Sequence, residues 1–356
     1  MIADMIWYSA SIDFDDNRLR PKAVPERTPR SASNVSRSNG ISPLLCDMYS
    51  VEQQSLARLI SAPALVGDKR FSNDLRQHYV ETEQHLRLIQ ERLESHEVSV
   101  SVIKTLIMKA AGKGFLLFAL SQPETPGKLA VHSYSYEAME WAGYEILARL
   151  AKFANDPQTL AVAFTIRNQE RRMMERLERD FDAAEEASHR TIYPQQMRNH
   201  LRRHLREAHA LEIQSANLIQ KAKETANDPL FTEVCHQHFE QSRKHAKMLK
   251  ERLDFLGAKP CQTEDHALRF GGWNWNFLFK LRADTPVKIA GFAYAHEHLK
   301  AAGYALLART AKRACDTDTG ELCITLMTDQ RAMANRVAGT FDSVVQTTLN
   351  VLGSDR

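Results

Sequence analysis

Apolar residues along most of this chain recur every three or four positions, the spacing that lines one face of an α-helix. Leu45, Met48, Leu56 and Leu59 mark a first helix, A, and Glu52 falls on the same stripe. A second helix, B, is predicted from about Phe71 to Leu93, and a third, C, from about Val131 to Phe153. Helix C carries Tyr134, Glu137, Trp141, Tyr144, Leu147 and Ala148 on its inner side. Asn155-Asp156-Pro157 ends it and starts helix D, because Asp caps a helix and Pro suits the first helical position. Helix D then aligns Leu160, Ala163, Glu170, Met174, Leu177 and Phe181. No stretch alternates as a strand would, so the chain is predicted to be all-α.

The same pattern returns at a constant offset of 160 residues, as from Tyr144 to Tyr304. Ala142-Gly143-Tyr144, Leu147-Ala148-Arg149, Ala151-Lys152, Ala154 and Asp156 recur as Ala302-Gly303-Tyr304, Leu307-Ala308-Arg309, Ala311-Lys312, Ala314 and Asp316. Glu91-Arg92-Leu93 recurs as Glu251-Arg252-Leu253, and His78, His85 and Glu137 as His238, His245 and Glu297. One register over such a length means a duplicated domain. The copies run from Pro43 to Ala187 and from Gln196 to Leu352, joined by a linker, Ser188 to Gln195, and preceded by a tail, residues 1–42. The roughly 35 residues between helices B and C exceed a hairpin turn. They suit the long crossover of ferritin-like four-helix bundles. The predicted architecture is therefore two tandem bundles of that type.

Composition adds little to this picture. The chain is 43% hydrophobic and 26% charged, and its net charge of +3 creates no global field for nucleic acid. Only the tail is biased: between Asn17 and Gly40, six basic residues face Glu26 alone, amid Pro, Ser and Asn. That segment is expected to be solvated and disordered rather than a nucleic-acid binder. The apolar run from Gly114 to Leu120 is too short to cross a bilayer, and the acidic start does not read as a secretory signal. Five irregularly spaced cysteines argue against a disulfide framework and for a cytoplasmic setting.

Carboxylates inside apolar stripes are the unusual feature. Glu52 lies on helix A, Glu81 and His85 on helix B, Glu137 and Glu140 on helix C, and Glu170 on helix D. Four buried acids facing one another repel strongly unless a cation sits among them. One Glu from each of two helices, with Glu and His from the others, is the di-iron pattern of such bundles. Oxygen and imidazole donors suit iron or manganese. Helix D lacks a second ligand, for Met173 stands three residues after Glu170, and Glu137 is the candidate substitute. The alternative is that these acids lie at stripe edges and reach solvent or neighbouring arginines. His78 and His238 recur in both copies, which favours hydrogen bonding in the core, and Tyr144 and Tyr304 read as packing residues with a tethered hydroxyl.

With VEQQ and LEIQ on helix A, HYVETEQH followed by ERL on helix B, YEAMEWAGYEILARLAKFANDP on helix C and NQERRMMERL on helix D, the sequence resembles the bacterial YciE/YciF-type ferritin-like proteins. The resemblance covers both copies. It implies a ferritin-like fold, a di-iron site, a link to stress responses and pairing of bundles into dimers, which a tandem would make covalent; whether the tandem forms a further homo-oligomer stays open. The second copy departs from it: Gln241, Lys300 and Gln330 replace Glu81, Glu140 and Glu170, while Glu212, His245 and Glu297 remain. Lys300 can neutralise the remaining acids in place, so iron or manganese is expected in the first bundle only. Two functions follow: iron handling or oxidative-stress protection, as a ferroxidase or peroxide consumer, or a metal-free structural and interaction module.

Overall fold

The computed structural model describes residues 41–98, 125–190, 192–260 and 286–354. The tail expected to be disordered, the crossovers with Trp273 and Trp275, and Cys261 lie outside the described residues. Within them the chain is helical and no strand occurs. The first copy comprises α1 (Ile41–Leu59), α2 (Lys69–Ser95), α3 (Thr125–Phe153) and α4 (Pro157–His189). The second comprises α5 (Pro194–Ala226), α6 (Pro229–Phe255), α7 (Pro286–Arg313), α8 (Thr317–Ala338) and α9 (Phe341–Ser354). Helix α4 thus reaches into the segment read as a linker, and Pro194 starts α5 at the first helical position, where its missing N–H is no loss.

The helices begin where their sequences dictate. Asp68, Asp156, Asp228 and Asp316 each accept a backbone N–H three residues on, which satisfies one of the orphan donors of a first turn. The recurring ERL motif serves the same joint. Arg92 binds both Asp156 and the Thr159 hydroxyl, and Arg252 binds Asp316 and Thr319, so the end of helix B is tied to the start of helix D in each copy. One difference between the copies is backbone in origin. Gly339-Thr340 interrupts the second copy's last helix, where the first copy runs unbroken through Arg179-Asp180; glycine is a poor helix former.

Helices α3 and α7 are the central pair, and across them the two copies meet. Trp141 stacks on Tyr294 with ring centroids 5.0 Å apart, and Ser135 Oγ donates to the Ala295 carbonyl. The rim of the interface is reciprocal: Arg149 binds Asp342 at 2.8 Å, and its repeat counterpart Arg309 binds Asp182 at 2.6 Å. The same two guanidinium groups lie over Phe341 and Phe181, each 5.8 Å from the ring centroid. Such i-to-j and j-to-i contacts are the signature of a two-fold dimer interface, here closed within one chain. One core cluster of Leu, Ile, Phe and Met side chains spans both copies, and a second, smaller one around Leu201, Leu249 and Leu326 lies within the second copy.

Candidate metal centre

Each helix of the first bundle sends polar side chains into the middle of this apolar frame. Glu52 comes from α1, His78 and His85 from α2, Glu137 and Glu140 from α3, and Glu170 from α4, and all six are fully buried. Four of them, His78, Glu137, Glu140 and Glu170, bring donor atoms within 4.8 Å of one another, as do Glu52, His85 and Glu170. Glu170 belongs to both groups. Glu170 thus joins two adjacent donor sets, each of which could hold a metal ion. Thus the structure brings together Glu52, His85, Glu137, Glu140 and Glu170 of the residues singled out in the sequence.

Glu81 stands apart from them. Its side chain is 14% exposed and takes a bidentate ion pair from Arg176, with Nη2 to Oε2 at 2.5 Å and Nη1 to Oε1 at 3.2 Å. His78 occupies the place between Glu81 and the cluster. Its Nδ1 is 3.3 Å from Glu81 Oε2, while its Nε2 is 2.7 Å from Glu137 Oε2 and 3.7 Å from Glu170 Oε2. Both nitrogens thus lie at hydrogen-bonding distance from a carboxylate, as the core role expected of His78 requires, and Nε2 also faces the donor cluster. Met173 is buried on α4 and accepts a contact from Arg176 Nε, so it supplies packing.

Other side chains hold the donors in position. Tyr144 donates its hydroxyl to Glu52 Oε1 at 2.5 Å, which is the tethered role anticipated for it. Gln169 Oε1 lies 2.8 Å from His85 Nε2, so Nδ1 of that ring is left facing Glu52 and Glu170 at 3.3 and 3.0 Å. An outer partner of this kind fixes tautomer and ring orientation in metal-binding histidines. Arg58, which the sequence pattern did not flag, is 1% exposed, pairs with Glu137 at 2.9 Å and packs over Tyr136. The available signal was a lone arginine on an apolar stripe whose repeat counterpart is Leu218.

The carboxylates outnumber the fixed cation among these groups, and in the metal-free protein protons make up the difference. With the histidines neutral and the four acids ionised, Arg58 leaves three negative charges in a sealed volume. Burial, then the charges of Glu52, Glu170 and Glu137, pushes the Glu140 carboxyl well above its ordinary value. Burial also outweighs the two histidines at Glu170 and lifts it to about 7. Burial would lower the histidines, but Glu137 and Glu170 raise His78 to about 10, and Glu52 and Glu170 raise His85 well above its usual range. Glu137 is held low, because His78 and Arg58 outweigh its burial. Neither Glu140 oxygen has a hydrogen-bond partner among the described residues. A buried carboxylate without a partner costs several kcal/mol. An all-oxygen and imidazole donor set with an orphaned carboxylate fits a hard or borderline cation such as iron or manganese.

The second bundle answers the same problem with protein groups. Lys300, at the position of Glu140, places Nζ 3.0 Å from Glu297 Oε1, 3.4 Å from Glu212 Oε2 and 3.0 Å from His238 Nε2. Gln330, at the position of Glu170, donates to Glu212 Oε1 at 2.6 Å, and Tyr304 donates to the same oxygen at 2.7 Å. Only one net negative charge remains there with neutral histidines. Despite burial, Lys300, His245 and Tyr304 hold Glu212 far below its ordinary range, and His238 and Lys300 hold Glu297 at about 2.

The architecture and site define a tandem helical-bundle protein with a buried Glu/His cluster that could hold metal. Residues 43–188 and 196–350 each match the family described as Domain of unknown function (DUF892). The chain belongs to that family, which is part of the ferritin-like superfamily. No curated protein and no solved structure matches the chain. No described helix is long and apolar enough to cross a membrane.

Proposed function

We propose that the first bundle is a metal centre of the YciE/YciF ferritin-like type, binding a pair of iron or manganese ions in the cytoplasm, and that the protein serves iron handling or oxidative-stress protection. Glu52, His85, Glu137, Glu140 and Glu170 would hold the ions, joined by His78, with Glu170 between them and Glu81 at the rim. The observation that carries this reading is Glu140: a fully buried carboxylate, unpartnered at both oxygens, within ligand distance of three other donors.

Bound iron supplies one-electron chemistry toward oxygen or peroxide. The protein's own contributions are distinct from that chemistry. Tyr144 and Gln169 orient Glu52 and His85, Arg58 fixes Glu137, and the apolar helix faces exclude water from the donors. Lys300 keeps the second bundle metal-free, so that half supplies the pairing surface of a dimer. Metal analysis of protein purified from iron-supplemented cells tests the proposal. About two irons per chain are expected, by analogy with di-iron bundles, and Glu52→Ala combined with Glu170→Ala removes them. A folded wild-type chain without iron or manganese overturns it.

A further inference from the structure

The Glu81 position has two places to go, and the two copies of this chain display one each. In the first bundle, Glu81 turns outward and is clamped by Arg176 from α4, with Gln77 Nε2 donating to it at 2.9 Å. In the second bundle the residue at that helix position, Gln241, turns inward. Its Nε2 reaches Gln330 Oε1 at 3.2 Å and the Asp329 carbonyl at 3.2 Å. Gln330 is the counterpart of Glu170, so a side chain of this length at this position reaches the shared carboxylate of the cluster. The arginine behaves accordingly. Arg176 is 9% exposed, whereas Arg336, its counterpart, is exposed.

Resting on the metal reading above, we propose that Arg176 is a latch on the metal centre. It holds Glu81 at the rim until a cation arrives; Glu81 then rotates inward as an additional ligand, and the guanidinium turns out to solvent. The physical reason is competition between cations for one carboxylate. Four buried acids already repel, and a fifth moving inward without a metal would add to that repulsion; a bidentate guanidinium at the rim gives Glu81 a better partner. When a divalent ion occupies the cluster, its charge outbids a single arginine. Arg176 is thus a positioning residue: it acts on the metal through Glu81.

The test uses the full-length protein and cobalt(II), whose visible absorption reports its coordination. Arg176→Gln frees Glu81, so cobalt(II) uptake should speed up and the dissociation constant tighten, by on the order of tenfold, the scale of effects from groups one shell out. Arg176→Lys should restore much of the wild-type behaviour. Glu81→Gln should weaken binding and alter the cobalt spectrum, and adding Arg176→Gln to it should then change nothing. A merely structural Arg176 would lower thermal stability and leave uptake, affinity and spectrum unmoved, which overturns the latch. A crystal of the cobalt-loaded wild type with Glu81 still on Arg176 also overturns it while leaving the metal reading intact. Failure of the wild type to bind cobalt, iron or manganese at all removes both.

Discussion

Lys300 Nζ lies 3.4 Å from Glu212 Oε2 at the core of the second bundle, from the helix position that carries Glu140 in the first. The duplication thus contains two solutions to one electrostatic problem, a fixed ammonium in one half and an open carboxylate in the other. Breaking the fixed solution should be costly. Lys300→Met leaves Glu212 and Glu297 buried without a cation and is expected to destabilise the protein by about 3–5 kcal/mol, the cost of stripping one partner from a buried pair. Urea denaturation measures it; a loss under about 1 kcal/mol would mean that the ammonium is not what balances those acids.

Above pH 4.5 the metal-free protein should lose stability as pH rises, whereas below it the lowered Glu81, Glu137, Glu212 and Glu297 give the usual acid sensitivity. Glu170 is raised from 4.5 to about 7 and His78 from 6.5 to about 10, so both hold protons more tightly when folded. Stability from a raised group is complete below its unfolded value and is lost as pH climbs through the folded one. The apo protein should therefore lose stability between pH 4.5 and 7 through Glu170, and between 6.5 and 10 through His78. Saturating manganese(II) should abolish that loss, because metal replaces protons. Melting curves across pH, with and without manganese, check this; apo stability rising steadily from pH 5 to 9 would contradict it.

Calorimetry offers an independent view of the same exchange. Metal binding to Glu140, Glu170 and the two histidines should release protons, so the observed heat at pH 6.5 should vary with the buffer's ionisation enthalpy. Heats that are identical in phosphate and Tris would argue that the acids are already ionised.

A half-open pocket between the second bundle and α3 of the first accompanies one exchanged side chain. In the first bundle Met48 fills the space over Gly143, where an added Cβ would meet its sulfur. At the matching place the second bundle has Ala208 and Gly303, nothing stands within 4 Å of a Cβ built on Gly303, and Ala208, Gly303, Leu211, Tyr304 and Leu307 line a pocket of about 60 Å³. Ala208→Met should fill part of it and stabilise the protein by less than about 1.5 kcal/mol, the value an enclosed cavity of that size would give. Gly143→Ala must push the flexible Met48 thioether aside, so it should gain less than Gly303→Ala, which meets nothing and should stabilise by up to about 1 kcal/mol through helix propensity. Denaturation midpoints of the three variants decide.

Much of this was legible in the sequence, for identifiable reasons. The helices follow from stripes at helical spacing, and Glu52, Glu137, Glu140 and Glu170 sit among residues that have to be buried, so their convergence follows from periodicity alone. Of the alternative, in which the acids reach solvent or neighbouring arginines, the solvent half fails for these four, since each is fully buried, whereas the arginine half is seen at Glu137, which pairs with Arg58, and at Glu81, which pairs with Arg176. Glu81 is different. It lies at the edge of the α2 stripe, where a small rotation decides between core and rim, and what decides it is Arg176, far away in sequence. Arg58 escaped notice because a single arginine on an apolar face is ambiguous until Glu137 and Tyr136 are seen around it. The break at Gly339-Thr340 and the cavity at Ala208 emerge only when the copies are compared in three dimensions.

Anomalous diffraction at the iron absorption edge, from crystals of the iron-loaded full chain, tests the central claim most directly. Two peaks are predicted in the first bundle, both within bonding distance of Glu170 and one beside Glu140, with none near Lys300. An ordered first bundle whose Glu140 and Glu170 carboxylates have no anomalous peak beside them would contradict it.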